Sequence, residues 1–115
     1  SSNGDIWIGT GEGLNRYDKK TGKFTRFYHD PGNNSSLSQN VVLDIFEDKD
    51  GFIWIGTANG LNKLTVSAKG KTSFIRYVNR NGNEGELSDN YIQTIAEDKS
   101  GNLWIGTKTV VLISL

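Results

Sequence analysis

Carboxylates are the side chains here best suited to chemistry, and they come in a repeated pattern. Glu47-Asp48-Lys49-Asp50-Gly51 and Glu97-Asp98-Lys99-Ser100-Gly101 stand 50 residues apart in a chain of 115. Two carboxyls facing each other across a sugar could hydrolyse a glycosidic bond, one of them an acid with a raised pKa. Glu47 and Glu97 recur at one position of a repeat, which places them around a common rim and favours a solvated role. Asp48-Lys49-Asp50-Gly51 also resembles the opening of a calcium loop. Such a loop collects ligands over about twelve residues and ends on glutamate, and the second copy has Ser100 in place of Asp50. An aspartate accepting the amides of its own turn accounts for both copies. His29 is the only histidine and cysteine is absent, which excludes multi-histidine metal sites, thiol chemistry and disulfides within the chain. Gly9-Thr10-Gly11-Glu12-Gly13 has the glycines of a phosphate cradle, but it opens into a strand where a cradle needs a helix. No catalytic residue, metal site or cofactor is expected.

The elements that must carry these residues are organised around one strand that occurs three times. Ile6-Trp7-Ile8-Gly9-Thr10, Ile53-Trp54-Ile55-Gly56-Thr57 and Leu103-Trp104-Ile105-Gly106-Thr107 place their tryptophans 47 and then 50 residues apart. A period of that size marks a repeat architecture. Within each copy the residues flanking tryptophan point to one face of a strand, and tryptophan and the glycine two places on point to the other. Both faces are apolar, as in a strand held between two neighbouring sheets. Trp7, Trp54 and Trp104, with Gly9, Gly56 and Gly106, are therefore expected to be structural, each indole filling the space between adjoining sheets. A sugar-stacking role for the tryptophans is the alternative.

No window places apolar residues at helical spacing, and fourteen glycines with one proline suit tight turns. The chain reads as all-β. Strands are expected at 5–10, 14–17 and 23–28; then at 41–47, 52–57, 61–66 and 72–78; then at 91–97, 102–107 and 110–115. Short glycine-bearing turns separate the members of each group. The groups are joined by two long polar segments, 29–40 and 79–90, which read as surface connections. The content is a partial blade and connection over 1–40, a complete four-stranded blade and connection over 41–90, and a partial blade over 91–115. Four-stranded meanders at this period are the blades of a β-propeller. A sandwich would need Greek-key connections and less regular internal identity. The reading is a fragment of about two and a half blades, belonging to a longer protein. At the C-terminal end, Val110-Val111-Leu112 replaces the Gly-Leu-Asn that follows the other tryptophan strands, so the end at 110–115 is irregular.

Thirteen basic and thirteen acidic residues cancel, so no net field favours nucleic acid or an anionic membrane surface. No apolar run approaches the roughly 20 residues of a membrane helix, and no secretory leader opens the sequence.

Leu-Ser-[Gln/Asp]-Asn, a strand, Glu-Asp-Lys-x-Gly-x-[Ile/Leu]-Trp-Ile-Gly-Thr, then x-x-Gly-Leu-Asn-[Arg/Lys] closely resembles the two-component regulator propeller repeat. The resemblance covers nearly all of residues 5–107. It implies the periplasmic sensor region of a hybrid two-component histidine kinase, non-catalytic in itself, that signals through a phosphorelay and commonly responds to oligosaccharides. A propeller scaffold for protein–protein interaction is the alternative. Alternating strand directions put the longer, more varied loops on one face, the better place for recognition. The candidate ligand-binding residues there are Tyr28, His29, Asn40, Asn59, Arg80, Asn90 and Tyr91, since amides, a guanidinium and aromatic rings suit neutral sugars. The competing role for the asparagines is to satisfy turn backbones. Expected partners are neighbouring blades of the same protein or other copies of this chain, giving a homo-oligomer, together with a carbohydrate ligand. Nucleic acid and direct membrane contact are not expected.

Overall fold

The alternation around each tryptophan folds as strands. The structure, a computed structural model, describes residues 4–78, 91–107 and the backbone of 113–114. Ten strands follow in order: β1 (Ile6–Thr10), β2 (Gly13–Asp18), β3 (Lys23–Phe27), β4 (Val42–Glu47), β5 (Ile53–Thr57), β6 (Gly60–Val66), β7 (Thr72–Tyr77), β8 (Ile92–Glu97), β9 (Leu103–Thr107) and β10 (Ile113–Ser114). They form three antiparallel sheets, β1-β2-β3, β4-β5-β6-β7 and β8-β9-β10. Neighbours in each sheet are consecutive in the chain, so hairpins alone build every sheet. No helix occurs among the described residues.

The β4–β5 and β8–β9 turns show why their sequences repeat. Gly51 N donates to Asp48 O at 3.0 Å and Asp48 N to Phe52 O at 2.9 Å, with Asp98, Gly101 and Asn102 repeating the pattern. Gly51 and Gly101 hold φ of 87° and 89°, a region that side chains with a Cβ resist. β4 and β8 each carry a bulge, between Val42 and Asp44 and between Ile92 and Thr94.

The sheets stack face to face, and the middle one is covered on both sides. Every position of β5 is buried. Ile53 and Ile55 join Leu14, Leu64 and Phe74 in one cluster, against which Trp7 and Phe27 of the first sheet pack. Trp54 lies on the opposite face with Leu61, Ile92, Ile95, Leu103 and Ile105, between the second and third sheets. Glycine two residues after tryptophan lets the sheets approach this closely. A Cβ on Gly56 would stand 2.6 Å from Ile92 Cγ2, and one on Gly9 would stand 2.4 Å from Val42 Cγ1.

One expectation is corrected here. Residues 29–40 read as a surface connection because they are polar and aperiodic, yet Leu37 is fully buried and Ser36 and Ser38 are buried with it. Leu37 belongs to the core cluster between the first two sheets. Burying the flanking serines is tolerated because each is hydrogen-bonded to distant groups. At the C-terminal end Ile105 pairs with Ile113, whereas Ile55 pairs with Asn62. The β9–β10 register is thus offset by one residue from that of β5–β6, at the end where the Gly-Leu-Asn pattern fails. The remainder of that irregular end lies outside the described residues.

Candidate ligand-binding face and the tethers beneath it

The β5–β6 turn and the start of β4 lie together, joined by a hydrogen bond from Ala58 N to Val41 O at 3.0 Å. Asn59 is exposed at that turn, its backbone N–H donating to Thr57 Oγ1 at 3.1 Å. Asn40 precedes Val41, and its Oδ1 accepts His29 N at 2.7 Å. Tyr28, adjacent, is 53% exposed. Tyr28, His29, Asn40 and Asn59 are thereby brought to one end of the first two sheets. Tyr91, half-buried, leads into β8 beside them in sequence order of the next repeat. Arg80 and Asn90 lie outside the described residues.

These groups differ in how available they are. His29 Nδ1 donates to Leu37 O at 2.9 Å, so its ring braces the buried connection, which a plain surface histidine would not do. Asn40 Oδ1 is likewise occupied within the loop, as the turn-satisfying role requires. Tyr28 and Asn59 present the more open surface.

Beneath this face sits a buried polar cluster that the sequence reading did not foresee. Asn62, fully buried on β6, accepts Ser38 N with Oδ1 at 3.0 Å. Its Nδ2 donates to Ser38 Oγ at 2.8 Å and to Ile55 O at 3.3 Å. Ser38 Oγ also meets Thr57 Oγ1 at 3.0 Å. Arg76 on β7 donates from Nε to Ser36 O at 2.8 Å and from Nη2 to Asn33 O at 2.9 Å and Ser36 Oγ at 2.8 Å. The Leu-Ser motif is thus a latch that the next sheet holds, and its partners lie too far along the chain for local pattern to show them.

The opposite rim carries the repeated carboxylates. Asp48 Oδ1 accepts Asp50 N and Phe52 N, each at 2.9 Å, as expected of a turn-capping aspartate. Its Oδ2 accepts the indole N–H of Trp54 at 2.8 Å. Asp98 repeats this with Ser100, Asn102 and Trp104. The signal was present in sequence, since aspartate stands six residues before tryptophan in both copies. Glu97 Oε1 accepts Lys49 N at 2.9 Å, joining the rims of adjacent sheets. Asp44, placed by the β4 bulge, accepts Ile95 N with Oδ2 at 2.8 Å and joins β4 to β8. These acids hold amides and indoles, and no described group of three His, Cys, Asp or Glu is placed to bind a metal ion.

Residues 36–59 and 86–109 match the two component regulator propeller family. Each matched segment is similar to a two component regulator propeller repeat. The whole fold is similar to the extracellular domain of a putative hybrid two component system from B. thetaiotaomicron, with 28% identity and a TM-score of 0.78, over 96% of this chain and 15% of that one. It is also similar in fold to virginiamycin B lyase from Staphylococcus aureus, with 22% identity and a TM-score of 0.58, over 91% of this chain and 31% of that one. No curated protein matches the chain. The chain is an all-β propeller fragment and spans a small part of the length of these structures. No helix long and apolar enough to cross a membrane occurs among the described residues.

The propeller's rim tethers carry a pH signature. The Asp98 carboxyl sits at about 2, below the ordinary 3.8, chiefly because the Trp104 indole N–H and then the Asn102 amide stabilise its charged form. For Asp48, burial pushes the pKa up, but donors from Trp54, Phe52 and Asp50 together outweigh it and the net direction is down. A depressed folded pKa contributes stability that is present above the unfolded value and lost as pH falls through the folded one. For Asp98 that window runs from 3.8 down to about 2. The melting temperature, followed by tryptophan fluorescence, is therefore expected to fall across this window, and to fall less steeply in Asp98→Asn. Parallel declines in the two proteins would show that Asp98 is not a source of the acid sensitivity.

Proposed function

We propose that this chain is a non-catalytic, ligand-sensing segment of a periplasmic hybrid two-component sensor, that its propeller recognises oligosaccharides, and that the parent protein relays occupancy to a histidine kinase by phosphorelay. The observation that carries this reading is the likeness to an extracellular domain of a putative hybrid two component system over 96% of the chain at 28% identity. The face bearing Tyr28 and Asn59 supports a sugar ligand. It combines an exposed aromatic ring with amide and backbone groups, and neutral sugars are held by such stacking and hydrogen bonding. The rim carboxylates support a non-catalytic role, because Asp48 and Asp98 are saturated by turn amides and indoles.

Calorimetry of the whole sensor region against an oligosaccharide panel tests the proposal. Saturable binding of one oligosaccharide, weakened at least about tenfold by Tyr28→Ala, is expected, the usual loss when a stacking ring contributes on the order of 1–2 kcal/mol. Absence of affinity for every glycan, with clear binding to a protein instead, would replace sensing by scaffolding.

A further inference from the structure

Lysine and acid are segregated at one end of the molecule. The β2–β3, β4–β5, β6–β7 and β8–β9 turns all lie at that end, opposite the face bearing Tyr28 and Asn59. The sheets approach one another along β1, β4, β5 and β8, so β3 and β7 stand at the outer edges and their turns form an outer rim. The β2–β3 turn carries Lys19, Lys20 and Lys23 against Asp18, and the β6–β7 turn carries Lys69 and Lys71 against no acid. The inner turns are the reverse. Glu47, Asp48 and Asp50 stand there against Lys49, and Glu97 and Asp98 against Lys99.

Both outer turns are fixed by their own hydrogen bonds. Gly22 N donates to Asp18 O at 2.7 Å, and Asp18 Oδ1 accepts Lys20 N at 2.9 Å. Gly70 N donates to Ser67 O at 2.9 Å, and Ser67 Oγ accepts Lys71 N at 3.1 Å. All five lysines of these turns are exposed, and among the described residues none of them is held in an ion pair. Hairpin tips project past the faces on which sheets stack, so a further sheet beside either end of this segment leaves them open.

We propose that this outer rim binds an acidic polysaccharide, a chain bearing carboxylate or sulfate groups along its length. The site is separate from the Tyr28 face and does not depend on it. Its turns hold five lysines and no arginine. Ammonium groups on flexible stems are point charges without a fixed fork, which suits anionic groups that a flexible chain presents in varying orientation. Asp18, set among the lysines, can accept sugar hydroxyls lying between the anionic groups. The inner acids decide between a chain and a surface. A flat anionic membrane pressed on this end would meet Glu47, Asp50 and Glu97 as well as the lysines, whereas a chain can follow the outer turns and avoid them. Because the charges of the whole protein cancel, attraction of a polyanion comes from this local segregation alone.

The test is calorimetry of the full chain near neutral pH and at low ionic strength, with polygalacturonate as the probe and dextran as its neutral counterpart. Saturable binding of polygalacturonate, none of dextran, and progressive loss of affinity with added salt are expected. Replacing Lys19, Lys20, Lys69 and Lys71 together by glutamine is expected to leave the melting temperature unchanged and to weaken binding at least about tenfold, the combined loss of several exposed charge pairs. Lys99→Gln, on an inner turn, is expected to bind as the natural chain does. Absence of binding, equal binding of dextran, equal affinity in the fourfold variant, or a loss in Lys99→Gln as large as in that variant would each overturn the proposal. Polyglutamate binding as tightly as polygalacturonate would overturn it by showing a surface that does not select sugars. Tighter binding to vesicles of anionic lipid would overturn it in favour of a membrane as the occupant.

Discussion

Trp54→Ala will lower the unfolding free energy by about 3–5 kcal/mol, the loss typical of truncating a buried aromatic side chain. Trp54 is only 9% exposed and belongs to the cluster between the second and third sheets. Its ring stands 5.8 Å from Tyr77 and 5.5 Å from the Lys63 ammonium. Truncation also leaves Asp48 Oδ2 without its indole donor. The decisive comparison is Trp104→Ala. Trp104 makes the same bond to Asp98, but it is only half-buried and lies outside the cluster that its neighbours Leu103 and Ile105 join. If packing between sheets is what the indole contributes, urea unfolding will show the larger loss for Trp54. Equal losses would mean that the turn tether, and not the stacking of sheets, is the common contribution.

That comparison is possible because strand and face were legible from sequence. Alternation around tryptophan and glycine at a near-constant period fixes which side chains share a face, and Gly56 against Ile92 shows why glycine recurs there. Strand pairing followed from short hairpins, and those are local signals. The Leu37 connection was not legible in the same way. Serine on either side of a single leucine has no apolar period, and the groups that make its burial tolerable, Asn62 and Arg76, lie 24 and 40 residues further on. Asp44 was hidden for a related reason. Its reach to Ile95 depends on a bulge in β4 and on the adjacent sheet, neither of which alternation within one strand encodes. Of the face proposed for ligand, the composition of the loops was readable, but the prior engagement of His29 and Asn40 inside the connection was not. Only side-chain geometry separates a polar group facing water from one that braces its own loop.

Asn62→Asp tests whether the latch beneath that face is as consequential as its burial implies. The substitution keeps size and shape and replaces the amide donor by an acid. As a carboxylate it still accepts Ser38 N, but it turns negative charge toward Ile55 O and loses both bonds that Nδ2 donates. An incompletely compensated charge at a fully buried position costs more than about 3 kcal/mol near neutral pH. Burial raises the folded-state pKa of the new carboxyl above its unfolded value. The protonated acid can donate as the amide did, so the deficit relative to the natural chain is full above the raised pKa and shrinks as pH falls through it. Asn62→Leu removes the same bonds without charge and is expected to cost about 2–3 kcal/mol at every pH, the penalty for orphaning the Ser38 amide and Ile55 carbonyl. Denaturant unfolding of the three proteins at about pH 5 and about pH 8, on either side of the range in which a buried carboxyl titrates, separates the two effects. A deficit in Asn62→Asp that does not change with pH would show that the carboxyl is solvated, and that residues 36–38 swing clear of the sheet instead of being held by it.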